Sequence, residues 1–285
     1  MAIVGTTQLA TWLDTVFGPA AYGYFQKDLR LLNHCTDYSP MLPLGAKAIA
    51  LPSVASRSPG MYTSEGSALT PVATTETAPT ITINQFAIET FIFEDMAVLQ
   101  SNPDVMAIYA QQSAELLRGK MQGYIVDSII TSATTNDVTM GSTDNQITFA
   151  LLLSGLALLL NDNVTPEMCA VGLSGVAWGL SVSDWGDKYF SAAYTGGQTI
   201  ATDGRIGQIL GMPVYVTSDW GSAGTSGEEC GSIWAKRAIA YATQGGIRSK
   251  MGTDLNQGLA DTMGIGLYYG AVKYIDSGIS NFTAV

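Results

Sequence analysis

An α+β fold is the architecture this sequence of 285 residues predicts, and three observations carry that prediction. The stretch 101–131 keeps helical spacing throughout. Several runs, above all 80–95, are rich in the β-branched and aromatic residues that strands favour. Long segments between them are Gly-, Ser- and Thr-rich loop. The expected arrangement is a spine helix against a mixed sheet, with long exposed loops.

Residues 1–45 read as an arm, with short helices over Gln8 to Phe17 and Tyr22 to Leu32 separated by Gly18-Pro19. Thr36 to Pro43, with two prolines, reads as an extended connector. A short strand, Lys47 to Leu51, enters the segment 46–80, which is almost free of large apolar residues. Such a stretch cannot bury a core of its own, so it is either a linker or a two-stranded projection lying on a neighbour. The strands on both sides favour the projection.

In TITINQFAIETFIF the apolar phase shifts after Ile83, which places a bulge or bend near Asn84-Gln85. Ser101-Asn102-Pro103-Asp104 is a helix start: a polar cap, an early proline and an acid in the first turn. From there to 131, Val105, Ile108, Leu117, Met121, Tyr124, Ile125 and Ile129 recur at helical spacing over roughly 40 Å. Residues 148–162 predict a second, more apolar, buried helix that stops at Asn161-Asp162-Asn163. After it come a strand and a turn or short helix over 169–180, then a loop over 184–204. A Gly-Met-Pro turn feeds a strand at Val214 to Thr217. Ile233 to Ala242, Ile247 to Met251 and Ile265 to Ile275 read as closing strands.

Composition narrows the function. Charged residues are 13% of the chain against a usual ~25%, while 47% are hydrophobic. This composition argues against disorder, and a surface this neutral is expected to meet other protein. The net charge is −11 with only 13 basic residues, so tight or sequence-specific nucleic-acid binding, which needs clustered cations, is not expected. Lys236, Arg237, Arg248 and Lys250 read as solvated strand-end charges. Cys35, Cys169 and Cys230 form no CxxC pair and predict neither a zinc site nor a disulfide framework, only reduced, buried thiols. The first basic residue is Lys27, so no signal peptide is expected, and the apolar run Ile147 to Leu160 is too short for a membrane span.

Catalytic patterns are sparse. His34 is the only histidine and has no catalytic context. Gly172-Leu173-Ser174-Gly175 approaches a nucleophile elbow, but Val176 stands where glycine is required. Gly264, Gly266 and Gly270 miss the dinucleotide spacing by one residue and read as points where strands approach closely. Glu94-Asp95 and Glu228-Glu229 are adjacent acids, the only candidates for a carboxylate-dependent hydrolase. No cofactor or metal is expected, and the chain is not expected to be an enzyme.

The order of these elements resembles that of the major capsid proteins of tailed bacteriophages, which share the Hong Kong 97-type fold with encapsulins. The residues that carry the resemblance are GAKAIALPSV entering the loop, and TITINQFAIETFIFEDMAVLQSNPDVMAIYAQQSAELLRGKMQGYIVDSII, a strand, an acidic turn and a long helix. GRIGQILGMPVYVTSDW, AIAYATQGGIRSKM and YYGAVKYIDSGI add a central-domain strand and late strands. The resemblance implies an arm (1–45), an extended β-loop (46–80), a peripheral domain (81–147) and an axial domain (148–230). Closing strands of both domains would occupy 231–285. It implies a subunit that assembles in the host cytoplasm into hexamers and pentamers of an icosahedral virion shell around double-stranded DNA, without binding that DNA specifically. The β-loop would lie across a neighbouring subunit through Arg57, Met61, Tyr62, Glu65, Leu69 and Val72. No long prodomain precedes the arm, so a separate scaffolding protein is expected beside portal and decoration proteins. Lys47 lies at the base of the loop, so covalent crosslinks are not expected. An encapsulin-like compartment is the alternative within the same fold.

Overall fold

The computed structural model describes residues 3–4, 30–43, 45–54, 76–93, 105–140, 146–190, 207–220, 229–254 and 260–284. Two sheets share one continuous apolar core. The first has five strands. At its centre, β13 (Ile239–Asp254) and β14 (Ala260–Lys273) run antiparallel, and β14 pairs in turn with β7 (Gln85–Phe93). Short parallel strands extend it on either side: β1 (Ile3–Val4) beside β7 and β2 (Thr36–Asp37) beside β13.

The side chains of β7 and β14 alternate as the sheet period requires. On β14, Ile265, Leu267 and Tyr269 are buried. They face helix α1 (Val105–Tyr124), where Tyr124 meets Tyr269 edge-on with centroids 5.7 Å apart. Leu117, Met121 and Ile125, each four residues from the next, form the buried stripe of this helix. The helix ends in a π turn (Ile125–Ile130), closed by Thr131 N–H to the Val126 carbonyl at 3.1 Å. Its last carbonyls would be orphaned in the core. Buried Asn281 solves this by donating to the Ile130 and Ala133 carbonyls at 3.0 and 2.8 Å.

The second sheet has six strands in the order β10 (Gly207–Ile209), β11 (Met212–Val216), β9 (Cys169–Leu173), β12 (Glu229–Ala235), β15 (Ile279–Thr283), β8 (Val138–Thr139). Helix α2 (Phe149–Asn161) packs on β15. Gly155 permits that approach, because a Cβ there would come within 2.9 Å of Ser280 Oγ and 3.1 Å of the Phe282 ring. Thr148 caps α2 by accepting the Leu151 N–H at 3.3 Å. Helix α3 (Gly175–Phe190) clamps the entry to α2. Trp185 donates to the Ile147 carbonyl at 2.8 Å, Ser181 Oγ accepts the Ile147 N–H at 3.0 Å, and Asp184 accepts the Phe149 N–H at 2.7 Å.

Two of the passages between the sheets run through 3-10 turns, Lys236–Ala238 and Asp276–Gly278, which touch each other. Asp276 braces this joint. Lys273 Nζ lies 2.6 Å from its carboxylate, and Thr135 donates to it. Burial alone would raise the Asp276 pKa, but the hydrogen bonds from Lys273 and Thr135 outweigh it and hold the carboxyl below its ordinary 3.8. Asp137 nearby is pushed the other way, by burial and by the charge of Asp276. The Asp276 contribution is therefore present above about pH 4 and lost as pH falls through its lowered value, whereas the cost of ionised Asp137 is relieved on acidification. Asp276→Asn is expected to cost up to about 1 kcal/mol at pH 7, and Asp137→Asn to gain no more than a few tenths, both groups being partly solvated. Urea unfolding at pH 7 and pH 3 checks both signs.

Two antiparallel strand pairs form the base of the segment 46–80. One is β3 (Ala48–Ala50) with β6 (Thr80–Thr82), the other β4 (Ser53–Val54) with β5 (Glu76–Thr77). This matches the projection reading at its base. The break at Ile83 and Asn84 hands the chain from β6 to β7, as the phase shift predicts. Beneath the base lies a second small core, in which Leu51 and Ile81 meet Ala240 and Ala242 of β13.

Several expectations need correction. The segment 175–190 is a helix, although 184–204 reads as loop; buried Trp185 and Ser181 stabilise it despite its glycines. The turn before β11 is Leu210-Gly211, with φ of 53° and 83°, in place of Gly-Met-Pro. Both residues adopt the left-handed conformation that a two-residue hairpin needs. Met212 and Pro213 already belong to β11. Ile233 to Ala242 is not one strand: it changes sheets at Lys236–Ala238. Thr36 to Pro43 holds a strand and a 3-10 turn (Ser39–Met41) where an extended connector is expected. β15 has no counterpart among the predicted strands. The helix expected at Gln8 to Phe17, most of that at Tyr22 to Leu32, and the start signal at 101–104 lie outside the described residues.

Candidate functional site

Ser174 joins β9 to α3, the strand–serine–helix context of a nucleophile elbow. It is buried and its hydroxyl accepts the Ala177 N–H at 3.1 Å, so it serves as a helix cap. His34 is half-buried. Its Nε2 donates to the Met168 carbonyl at 3.1 Å, while its own carbonyl accepts the Trp234 indole N–H at 3.0 Å. The ring lies 6.5 Å from Tyr215 and 6.3 Å from Trp234. These contacts tie the histidine into the seam between the sheets.

All three thiols are free and buried. Burial pushes Cys35 up to about 12, against the opposing charge of Lys236, and pushes Cys169 up to about 12 as well. Both stay protonated and unreactive near neutral pH. Among the described residues no group of three His, Cys, Asp or Glu side chains could hold a metal ion, and no helix is long and apolar enough to cross a membrane. Glu94, Asp95 and Glu228 lie outside the described residues, and Glu229 opens β12.

Arg57, Met61, Tyr62, Glu65, Leu69 and Val72 also lie outside the described residues. They fall between β4 and β5, so the hairpin base carries them. The described surface points instead to contacts that the sequence reading missed. Helix α2 buries Leu152, Leu156 and Leu159 but leaves Leu153 and Leu160 at 41% and 47% exposure. Helix α3 leaves Val176 and Leu180 exposed on consecutive turns. Exposed leucines on two helices of one layer are unusual unless another surface covers them. The signal was present in the sequence: α2 is apolar all round, while the sheet beneath covers only one side.

No protein-family model and no functionally curated protein matches this sequence. Solved structures do. A chain of mycobacterium phage Che8 superposes with a TM-score of 0.72 at 18% identity, covering 94% of this chain and 96% of that one. The capsid of a native GTA particle gives 0.71 at 11% identity, covering 95% of each chain. The capsid of cyanophage P-SCSP1u gives 0.70 at 13% identity, with 95% and 92% covered. The chain therefore has the fold seen in these phage and GTA capsid structures.

Proposed function

We propose that this chain is a structural shell subunit, a major capsid protein whose copies associate into hexamers and pentamers of an icosahedral virion shell around double-stranded DNA. The observation that carries the proposal is the shared fold over more than nine-tenths of both chains. In this reading the first sheet with α1 forms the peripheral domain. The segment 148–230 forms the axial domain, and the hairpin 46–80 lies on an adjacent copy. Arg57, Met61, Tyr62, Glu65, Leu69 and Val72 would make the contacts there. Shell assembly takes place in the host cytoplasm on a separate scaffolding protein, and portal and decoration proteins complete the particle. The acidic balance fits a container, because a wall that held phosphates tightly would oppose packing and release of the genome.

The test is expression of the full chain, alone and with a candidate scaffold, followed by negative-stain electron microscopy and light scattering. Closed shells, tubes, or rings of five or six subunits are expected. A monomer under both conditions would overturn the reading.

A further inference from the structure

The outer face of the first sheet, turned away from α1, is only partly covered. The hairpin base closes one end, where β6 crosses β14 at Gly270. From Tyr268 back to Gly264 the face stays open as a trough. Its open floor is Gly264 on the central strand, while the Phe86 ring lies over Gly266, where an added Cβ would come within 2.7 Å of it. One wall is Phe86 and Ile88 on β7, at 49% and 58% exposure. The other is Arg248 and Lys250 on β13, opposite Gly266 and Gly264. Phe86 stacks on Tyr268 with centroids 4.2 Å apart and planes inclined by 17°. No carboxylate stands among the described lining residues, on a chain of net charge −11.

The geometry specifies an occupant. Neighbouring strands lie about 4.8 Å apart, so the walls stand roughly 10 Å apart across β14. Along each wall the residues are two positions apart, roughly 7 Å, which is also the spacing of same-side residues in an extended peptide. Apolar groups line one side and cations the other. A nucleic-acid duplex carries phosphates along both flanks and suits a one-sided cationic wall poorly, and a single strand, with one charge per nucleotide, finds only two cations here on a chain of net charge −11. A second copy suits it poorly too, because no two carboxylates of this sequence stand two residues apart.

We propose that this trough docks an extended segment of a different protein, in which apolar residues alternate with carboxylates: apolar side chains against Phe86 and Ile88, carboxylates against Arg248 and Lys250. It deepens the shell reading by naming the chemistry of a partner that the subunit recognises.

The test is fluorescence anisotropy of a labelled octapeptide alternating glutamate and leucine, titrated with the full chain in its native assembly state. Saturable binding that weakens with salt is expected. Arg248→Glu with Lys250→Glu is expected to lower affinity at least tenfold. Gly264→Leu, which fills the floor where an added Cβ meets nothing nearer than Thr90 Cγ2 at 3.6 Å, is expected to do the same. Thermal melting confirms that both variants fold. Equal binding of a lysine–leucine peptide, or no effect of either variant, overturns the proposal. So does an oligo(dT) strand that binds more tightly and competes at these residues, or loss of self-association in Gly264→Leu. Microscopy of the same samples reads shell formation separately, so failure of docking and failure of the shell reading are distinguishable.

Discussion

Replacing Leu153 and Leu160 with aspartate is expected to leave a folded chain that no longer builds shells. The two leucines are seven residues apart, two turns of α2, and lie on the side away from the buried Leu152, Leu156 and Leu159. Because both are exposed in the single chain, each substitution costs it about 0.5 kcal/mol or less, mostly helix propensity. At an interface the account differs. Each buried leucine contributes about 1.5–3 kcal/mol, and an aspartate in its place leaves an unpaired charge out of water. The loss recurs at every copy of the contact, so assembly should fall below detection while the melting temperature moves by only a few degrees. Light scattering and microscopy beside a circular dichroism melt check both halves. Shells of wild-type yield would place this face of α2 in solvent.

The second large effect concerns the hairpin base. Gly270→Val is expected to destabilise the fold by about 3 kcal/mol, through overpacking against backbone that cannot turn aside. A Cβ at Gly270 would run into the Thr82 carbonyl and lie 3.2 Å from Ile83 Cα, where β6 crosses the sheet. Relief requires lifting β6, which uncovers Leu51, Ile81, Ala240 and Ala242. Gly264→Ala, six residues away on the same strand and the same face, makes only an ordinary van der Waals contact with Thr90 Cγ2 at 3.6 Å and is expected to change stability by less than about 0.5 kcal/mol. Urea unfolding of the two variants separates a close approach from a general intolerance of side chains in β14. Equal stability of the two would show that the hairpin base can rise without cost.

The long elements were legible from the sequence, because they follow from local pattern. Leu117, Met121 and Ile125 announced the spine helix by spacing alone. The shift after Ile83 announced the break between β6 and β7, and of the three glycines read as sites of close approach Gly266 and Gly270 are such sites, whereas Gly264 has no neighbour nearer than 3.6 Å. The single histidine and unpaired cysteines, with the low charge, pointed away from catalysis and toward a protein-covered surface.

What failed depended on partners distant in sequence. The segment 175–190 carries glycines that argue against a helix, yet Trp185 and Ser181 gain hydrogen bonds to Ile147 only in the fold. Ile233 to Ala242 shows one apolar run, but no local signal says that the strand changes sheets at Lys236. Whether a leucine of α2 is core or surface depends on where β15 lies, and whether Phe86 faces a helix or a trough depends on the phase of a pairing with β14. The sequence by itself determined the element types, the spine helix and the acidic, neutral-surfaced character of the chain, since periodicity and composition are properties of neighbours along the backbone. Only the tertiary structure decided which apolar faces remained uncovered, because burial is set by contacts between residues that the chain brings together from a hundred or more positions apart.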